Sequence, residues 1–437
     1  MFILSITWLL LLLSTVTIFR VCSRDYTAPV FLISLSFFSS LSVVLINWNN
    51  WDIKVHGFGI KAAFCIFLTI VSFSVGSLCG RALFADRSKD NNVSISIDIR
   101  KRADTGFPYI FLTLIAVLLS VLFLRSKIGR INILSLSSVE TGLRNLYVSG
   151  REANFFQSQE LEIIVAVSYL CLHRLLIEKY YLEEKVHFLL FIPVLCLLIC
   201  SLFNTDRNLL IRFFLFGLAL LVMSSNWRGI NLRNNKKLRK KVVVISLALV
   251  VLFYIYGKLK SYTSNFERMI GIYGGSGLYA FNLWAETFEG PYTYGLATFH
   301  TLQMTLQALG FPIRVGDISK VGYTTFLSSN GYIFATNIYS ALQDYYQDFG
   351  FFGIAFFPFL EGIFFRILYI AANKNKYGFW WLFYAAHIYH IVYFPIDEQF
   401  FKRFHLGLVY EVFWLFFFYK LSYGRIRIKE KHLHINM

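Results

Sequence analysis

The chain has 437 residues, of which 57% are hydrophobic, 19% aromatic and 15% charged, with 47 phenylalanines and a formal net charge of +17. Apolar runs of span length recur along the whole sequence, more than any water-soluble core can hide, so a soluble globular protein is excluded. The runs are continuous over about 20 residues rather than alternating over about 10, which excludes a β-barrel.

The first run, FILSITWLLLLLSTVTIF, lacks a basic leader and a small-residue cleavage site, so it is expected to remain as a span. Backbone groups in hydrocarbon must bond to one another, so each run is expected to be a helix. About eleven are expected in chain order, near residues 2–19, 28–47, 58–80, 108–124, 161–177, 187–203, 208–224, 242–257, 349–370, 378–396 and 406–421. The expected fold is all-α, a polytopic integral membrane helical bundle forming a single domain over 1–437. Two segments between spans stand out by length, 125–160 and 258–348, and loops of that size usually have a task.

The positive charge reports orientation rather than nucleic-acid binding. Alternate loops starting at 20–27 hold 24 Lys and Arg, against 14 in the other, longer set. The richer set, anchored by RNNKKLRKK at 233–241, is assigned to the cytoplasm, where it also meets anionic lipid. The odd count then puts the N-terminus, 258–348 and 397–405 outside. All six cysteines fall in or beside spans, with no CxxC pattern, so neither a disulfide framework nor a metal site is expected. The pair Cys196 and Cys200 is read as lipid-buried.

The 258–348 loop holds YGGSGLYAFNLWAE and GPYTYGLATFHTLQMTLQALGF, the second with a helical, half-buried character suited to an interfacial position. It brings together aromatics, amides, carboxylates and a histidine, the side chains that stack on sugar rings and bond their hydroxyls. Its end, TNIYSALQDYYQDFGFFG at 336–353, precedes a run of phenylalanines. At 100° per residue Asn337, Asp344 and Asp348 fall on one line, a polar stripe on a helix expected to continue into the bilayer. That stripe is either a solvated interfacial face or a pair of carboxylates in which one holds its proton tightly, as an acid or base requires.

Cations are sparse on the outward side, so Arg207, Arg268, Arg314, Arg144 and Arg151 are notable there. A guanidinium offers paired donors to phosphate oxygens, which suits a lipid diphosphate, and Arg207, wedged between two spans, is the leading candidate. His300 is either a base or a hydrogen-bonded structural histidine. His387 and His390 stack at i, i+3 without further ligands. Glu361, deep in FPFLEGIFF, must be neutral, paired or wet, with Lys61 and Arg212 as potential partners.

NGYIFATNIYSALQDYYQDFGFFGIAFFPFLEG resembles the late signature of the O-antigen and oligosaccharide repeat-unit polymerases. The matching positions are Thr336, Asn337, Tyr339, Asp348, Phe349, Gly350 and Gly353. NTDRNLL looks like that family's Ser-Arg element, and GLATFHTLQMTLQALGF like its Thr-Phe segment. The resemblance covers residues 200–365 in detail and the rest in hydropathy. It implies an architecture similar to the lipid-dependent (GT-C-like) glycosyltransferases in the cytoplasmic membrane. It also implies an enzyme without cofactor or metal that joins polyprenyl-diphosphate-linked repeat units on the outer face.

In that reading Arg207, Arg268, Arg314 and Arg151 bind the diphosphate, and Tyr339 and Tyr345 the sugars. Related ligases place His-Asn where this chain has Thr336-Asn337, and threonine is a poor base. Asp348, Asp344 or His300 then takes the proton, or positioning alone, with Asn337, suffices. A chain-length regulator and a flippase are the implied partners, beside membrane lipid. The rival expectation, a transporter or flippase of the same lipid-linked oligosaccharides, places its decisive charges inside spans, at Glu361, Lys61 and Arg212.

Overall fold

The computed structural model describes residues 1–49, 51, 57–85, 107–128, 155–179, 185–203, 208–227, 271–312, 324–327, 333–336, 338–374 and 378–423, with isolated positions between 236 and 254. Among them the regular structure is helical, apart from one antiparallel hairpin of β1 (Thr324–Leu327) and β2 (Ile333–Thr336), in which Thr324 faces Thr336. The chain divides into two compact units, one from Met1–Asp90, Asn265–Ala371 and Ile388–Leu406, the other from the remaining segments.

Five helices are long and apolar enough to cross a membrane, Phe2–Val21, Pro29–Ile46, Ile60–Phe84, Tyr109–Ser126 and Ala341–Lys374, and Phe188–Ser201 and Asn208–Ser224 are shorter apolar ones. Their outer faces are greasy: Leu13 is 55% exposed, Leu78 63%, Leu114 63% and Val121 56%. Such belts of exposed Leu, Val and Phe need a nonaqueous solvent, so the chain is read as a multi-pass membrane protein. The expected span near 242–257 lies largely outside the described residues.

The first unit is built on α1 (Phe2–Val21), α2 (Pro29–Ile46) and α3 (Ile60–Ala85). Pro29, at the first turn of α2, needs no N–H there and starts the return of the chain. Helices α1 and α2 are stitched across their apolar seam by the Trp8 indole donating to Ser42 (2.8 Å) and by Thr15 bonded to Ser34 (2.8 Å). Against α3 lies the long α10 (Ala341–Lys374). There the sequence GSLCG matters: a Cβ on Gly76 would sit 2.0 Å from the Phe359 carbonyl oxygen, and one on Gly362 2.2 Å from that of Phe73. With no hydrophobic drive between helices in lipid, such small-residue contacts let backbones approach and gain dispersion instead.

From the 258–348 segment the unit adds α8 (Gly277–Thr287) and α9 (His300–Ala308). Helix α8 is buried along most of its length, whereas α9 buries no residue fully, in keeping with its expected half-buried character. The short α12 (Tyr389–Val392) and the chain to Leu406 complete the unit.

Its connections sort to opposite ends. At one end the turn after α1 meets the later part of α10, where the Tyr369 hydroxyl donates to Asp25. At the other, Gly59 N–H donates to Asn282 (2.7 Å), Lys61 Nζ to the Ala285 carbonyl (2.6 Å) and Ala341 N–H to the Phe394 carbonyl (3.0 Å).

The second unit packs α4 (Phe107–Ile128), α5 (Phe155–Ile177), α6 (Phe191–Phe203), α7 (Asn208–Trp227), α11 (Phe379–His387) and α13 (Leu406–Tyr423, of which Leu406 itself belongs to the first unit). Its core stacks Tyr169 on Phe216 with ring centres 4.1 Å apart. Two buried ion pairs fix its polar groups, Arg174 with Glu178 (2.9 Å) and Arg212 with Glu411 (2.6 Å).

Candidate functional site

The stretch that carries the polar stripe is where α10 breaks. Phe349 (φ −143°, ψ 15°) and Gly350 (φ 59°, ψ −140°) leave helical space, so Ala341–Asp348 and Phe351–Lys374 are two helical segments rather than one. Gly350 needs a conformation that only glycine adopts readily, and a Cβ there would lie 2.7 Å from the Tyr292 hydroxyl. The expectation of one helix running from the stripe into the bilayer is therefore corrected. Tyr345 and Glu361, 16 residues apart, would stand about 24 Å apart along a continuous helix. Instead the Tyr345 hydroxyl donates to Glu361 Oε1 at 2.7 Å, so the first segment folds back beside the second. Gly353, packed against the Tyr345 carbonyl, permits the close return.

Every residue from Ala341 to Asp348 is buried, so neither aspartate lies on a solvated face. Asp348 is clamped by three donors. Its Oδ1 accepts from the Thr293 hydroxyl and the Ala297 N–H (3.0 Å), and its Oδ2 from the Thr298 N–H (2.7 Å). Because the break ends the first segment, the carbonyls of Gln347 and Asp348 lose their helical partners, and Thr293 N–H (3.0 Å) and Tyr294 N–H (3.2 Å) supply replacements. The segment 292–299 is thus docked onto the break through both side chain and backbone.

Asp344 is differently placed. Lys402 Nζ holds its Oδ2 at 2.7 Å, while Oδ1 takes no hydrogen bond from any described residue. Lys402 also reaches Asp397 Oδ1 at 3.0 Å, and Gln399 Nε2 donates to Asp397 Oδ2 at 2.7 Å. The Lys402 and Asp397 side chains are 34% and 36% exposed, so the cluster opens to the surface there.

Behind them Glu398 is buried, accepting from the Phe400 and Phe401 N–H groups (both 2.8 Å) and the Lys402 N–H (2.7 Å), with the Tyr345 hydroxyl, shared with Glu361, at 3.2 Å. Burial pushes its pKa up to about 7, against the pull of the Lys402 charge and in the same direction as Asp344. Burial alone would lower the pKa of Lys402, but Asp344, Asp397 and Glu398 outweigh it and hold the amine protonated. Phe299, Phe357 and Phe401 meet edge to face around this cluster, at 5.2 to 5.8 Å between centres.

The other expected residues divide. Tyr345 lies at the centre of the cluster, and Tyr339 is buried three residues before Leu342. His300 opens α9, half-buried, just past the segment that Asp348 holds. Asn337, Arg207, Arg268, Arg314 and Arg151 lie outside the described residues. Glu361 is partnered by Tyr345, not by Lys61 or Arg212: Lys61 lies over the Tyr346 ring (4.9 Å) and Arg212 pairs with Glu411. His387 Nδ1 bonds the Phe383 carbonyl (2.9 Å), and the ring of His390 stacks on Tyr389 (4.0 Å).

Sequence reasoning missed Asp397, Glu398 and Lys402. Their signal is PIDEQFFKRF itself, four charges crowded between two apolar runs, a position at which ionisable groups are costly unless used. No known protein family, no curated protein and no solved structure matches this chain.

Proposed function

We propose that the chain is a glycan polymerase of the cytoplasmic membrane, with about eleven spans and an architecture similar to the lipid-dependent glycosyltransferases. It joins polyprenyl-diphosphate-linked repeat units on the outer face, the N-terminus and 258–348 lying outside. The observation that carries this reading is Asp344, with one carboxylate oxygen anchored by Lys402 and the other without a donor among the described residues. Of the three candidate bases, Asp348 is fully buried and already clamped by three donors.

In the reaction, the acceptor hydroxyl oxygen bonds to the anomeric carbon of the donor glycan as the bond from that carbon to the diphosphate breaks. The hydroxyl proton passes to Asp344 Oδ1. Burial raises the pKa of Asp344, as suits a proton acceptor, while the Lys402 ammonium partly offsets that and aims the carboxylate, and the surrounding phenylalanines and tyrosines offer faces for sugar rings. The departing diphosphate carries the new negative charge and requires cations, which the sequence supplies as Arg207, Arg268, Arg314 and Arg151.

Transport of the same lipid-linked oligosaccharides is the alternative, and it relies on charges within spans. Glu361, Lys61 and Arg212 are each engaged by a fixed partner, which favours the enzyme. Purified protein supplied with lipid-linked repeat units is expected to yield a polymer ladder unaided. Asp344→Asn is expected to lower the rate by at least about a hundredfold with folding unchanged, and Arg207→Ala to leave single units only. A full ladder from stably folded Asp344→Asn removes that carboxylate from the chemistry. In cells, loss of even the single-unit band in Arg207→Ala supports transport instead.

A further inference from the structure

At the opposite end of the first unit, among α1, α3 and the second segment of α10, lies a cavity of about 540 Å³. Its walls differ along their length. Ile18 and Leu78 line it on the side of the apolar helices, whereas Arg81, Arg366, Asp25 and Tyr369 line it where those helices end. Asp25 is committed, accepting from the Thr27 N–H (2.8 Å) and hydroxyl (2.7 Å) and from the Tyr369 hydroxyl. Arg366 is not: its guanidinium rests on the Tyr369 ring at 5.3 Å, and its buried Nε has no hydrogen-bond partner among the described residues. A buried guanidinium donor without an acceptor costs free energy that a phosphate oxygen would recover.

Two arginines against one aspartate leave the cavity positive. In the turn at its rim Ser23 and Arg24 both lie in the left-handed region (φ 56° and 61°), a conformation that non-glycine residues adopt at a cost. A site that is cationic at the helix ends and apolar toward the bundle matches an amphiphile in both parts. We propose that this cavity binds the phosphate of an anionic membrane lipid, with the headgroup against Arg366 and Arg81 and an acyl chain along Ile18 and Leu78. The site is independent of the glycan chemistry at the other end, and it stands whether or not that assignment does.

The test uses the full chain, delipidated in detergent, with binding followed as a rise in thermal midpoint. Short-chain phosphatidylglycerol is expected to bind saturably and about tenfold more tightly than phosphatidylcholine of equal chain length. Arg366→Gln and Arg81→Gln are each expected to weaken it by about tenfold, the scale of one charge-assisted hydrogen bond. Arg81 is exposed, so its variant keeps the test open if Arg366→Gln fails to fold. Equal binding of the two lipids, or wild-type affinity in Arg81→Gln together with any folded Arg366 variant, overturns the proposal. Displacement of the lipid by inorganic phosphate at matching concentration would assign the site to a soluble anion and overturn its lipid part.

Discussion

Replacing Asp348 by asparagine separates a structural carboxylate from a reacting one. The change keeps size and shape but leaves one acceptor oxygen where three donors converge: the Thr293 hydroxyl, the Ala297 N–H and the Thr298 N–H. In the better of its two orientations the amide oxygen serves Thr293 and Ala297, and its NH2 then faces the Thr298 N–H. One hydrogen bond to a charged group is lost, about 1.5–3 kcal/mol, and a buried donor is left without an acceptor, about 1–3 kcal/mol more. The expected loss is about 3–5 kcal/mol, large against the usual margin of stability. Reversible unfolding in mixed detergent micelles measures it, with proteolysis of 292–299 as a local readout. Thr293→Val, which removes one donor and leaves the rest, is expected to cost about 1–2 kcal/mol. A loss below about 1 kcal/mol for Asp348→Asn, with polymer formation abolished, would refute the reasoning and return Asp348 to the chemistry.

Gly350→Ala is expected to destabilise by at least about 2 kcal/mol from backbone conformation alone, and Tyr292→Ala, which removes the clash, is expected not to restore it; thermal midpoints of the single and double variants check this. Glu398, with its pKa raised to about 7 by burial, binds a proton more tightly folded than unfolded, so its contribution to stability is greatest below about pH 4.5 and falls as pH rises to 7. A shift of that size corresponds to about 3 kcal/mol, read as the change in stability of the wild type relative to Glu398→Gln across that range; a pH-independent difference would show that the backbone donors hold the group ionised. Cysteine placed at Asp397 is expected to react with an impermeant reagent from outside intact cells, and reaction only after the membrane is opened would put the cluster on the wrong side for the proposed substrates.

The helices were legible because lipid imposes them. Runs of apolar residues long enough to span must satisfy their own backbone, and the ends of α1, α2 and α7 fall within a few residues of expectation. The break at Phe349–Gly350 was not, although its glycine stands in plain view. Helical periodicity registers which residues share a face, and Asp344 and Asp348 do share one. It cannot register that Thr293 and Tyr294, more than 50 positions earlier, return to cap the carbonyls that the break exposes. The resemblance marked Asp348, Phe349, Gly350 and Gly353 as a unit, and the geometry gives each a separate cause: a clamp, a turn, a left-handed residue and a close approach. Lys402 escaped notice for the same reason as Thr293 and Tyr294, since its partner Asp344 lies 58 positions away and only the folded chain joins them. The GSLCG contact in α3 was readable from small-residue spacing and was overlooked.

Among the described residues, acidic side chains gather at one end of the first unit and arginines at the other, and this bears on which half of the reaction each set of residues can serve. Around the α1–α3 cavity stand Arg81 and Arg366. At the far end Asp344, Asp348, Asp397 and Glu398 outnumber the cations Lys61, Lys402 and Arg403. A diphosphate brought 4 Å from one uncompensated carboxylate there would meet about 4 kcal/mol of repulsion for each pair of unit charges at an effective dielectric of 20. The acidic end is therefore unsuited to hold the leaving group by itself and well suited to receive a neutral sugar hydroxyl and take its proton. In the proposed polymerase the labour must then be divided, with the carboxylates serving the acceptor and cations from elsewhere serving the donor. Arg268 and Arg314, carried by the same 258–348 segment whose other parts build the acidic end, are the sequence's nearest source.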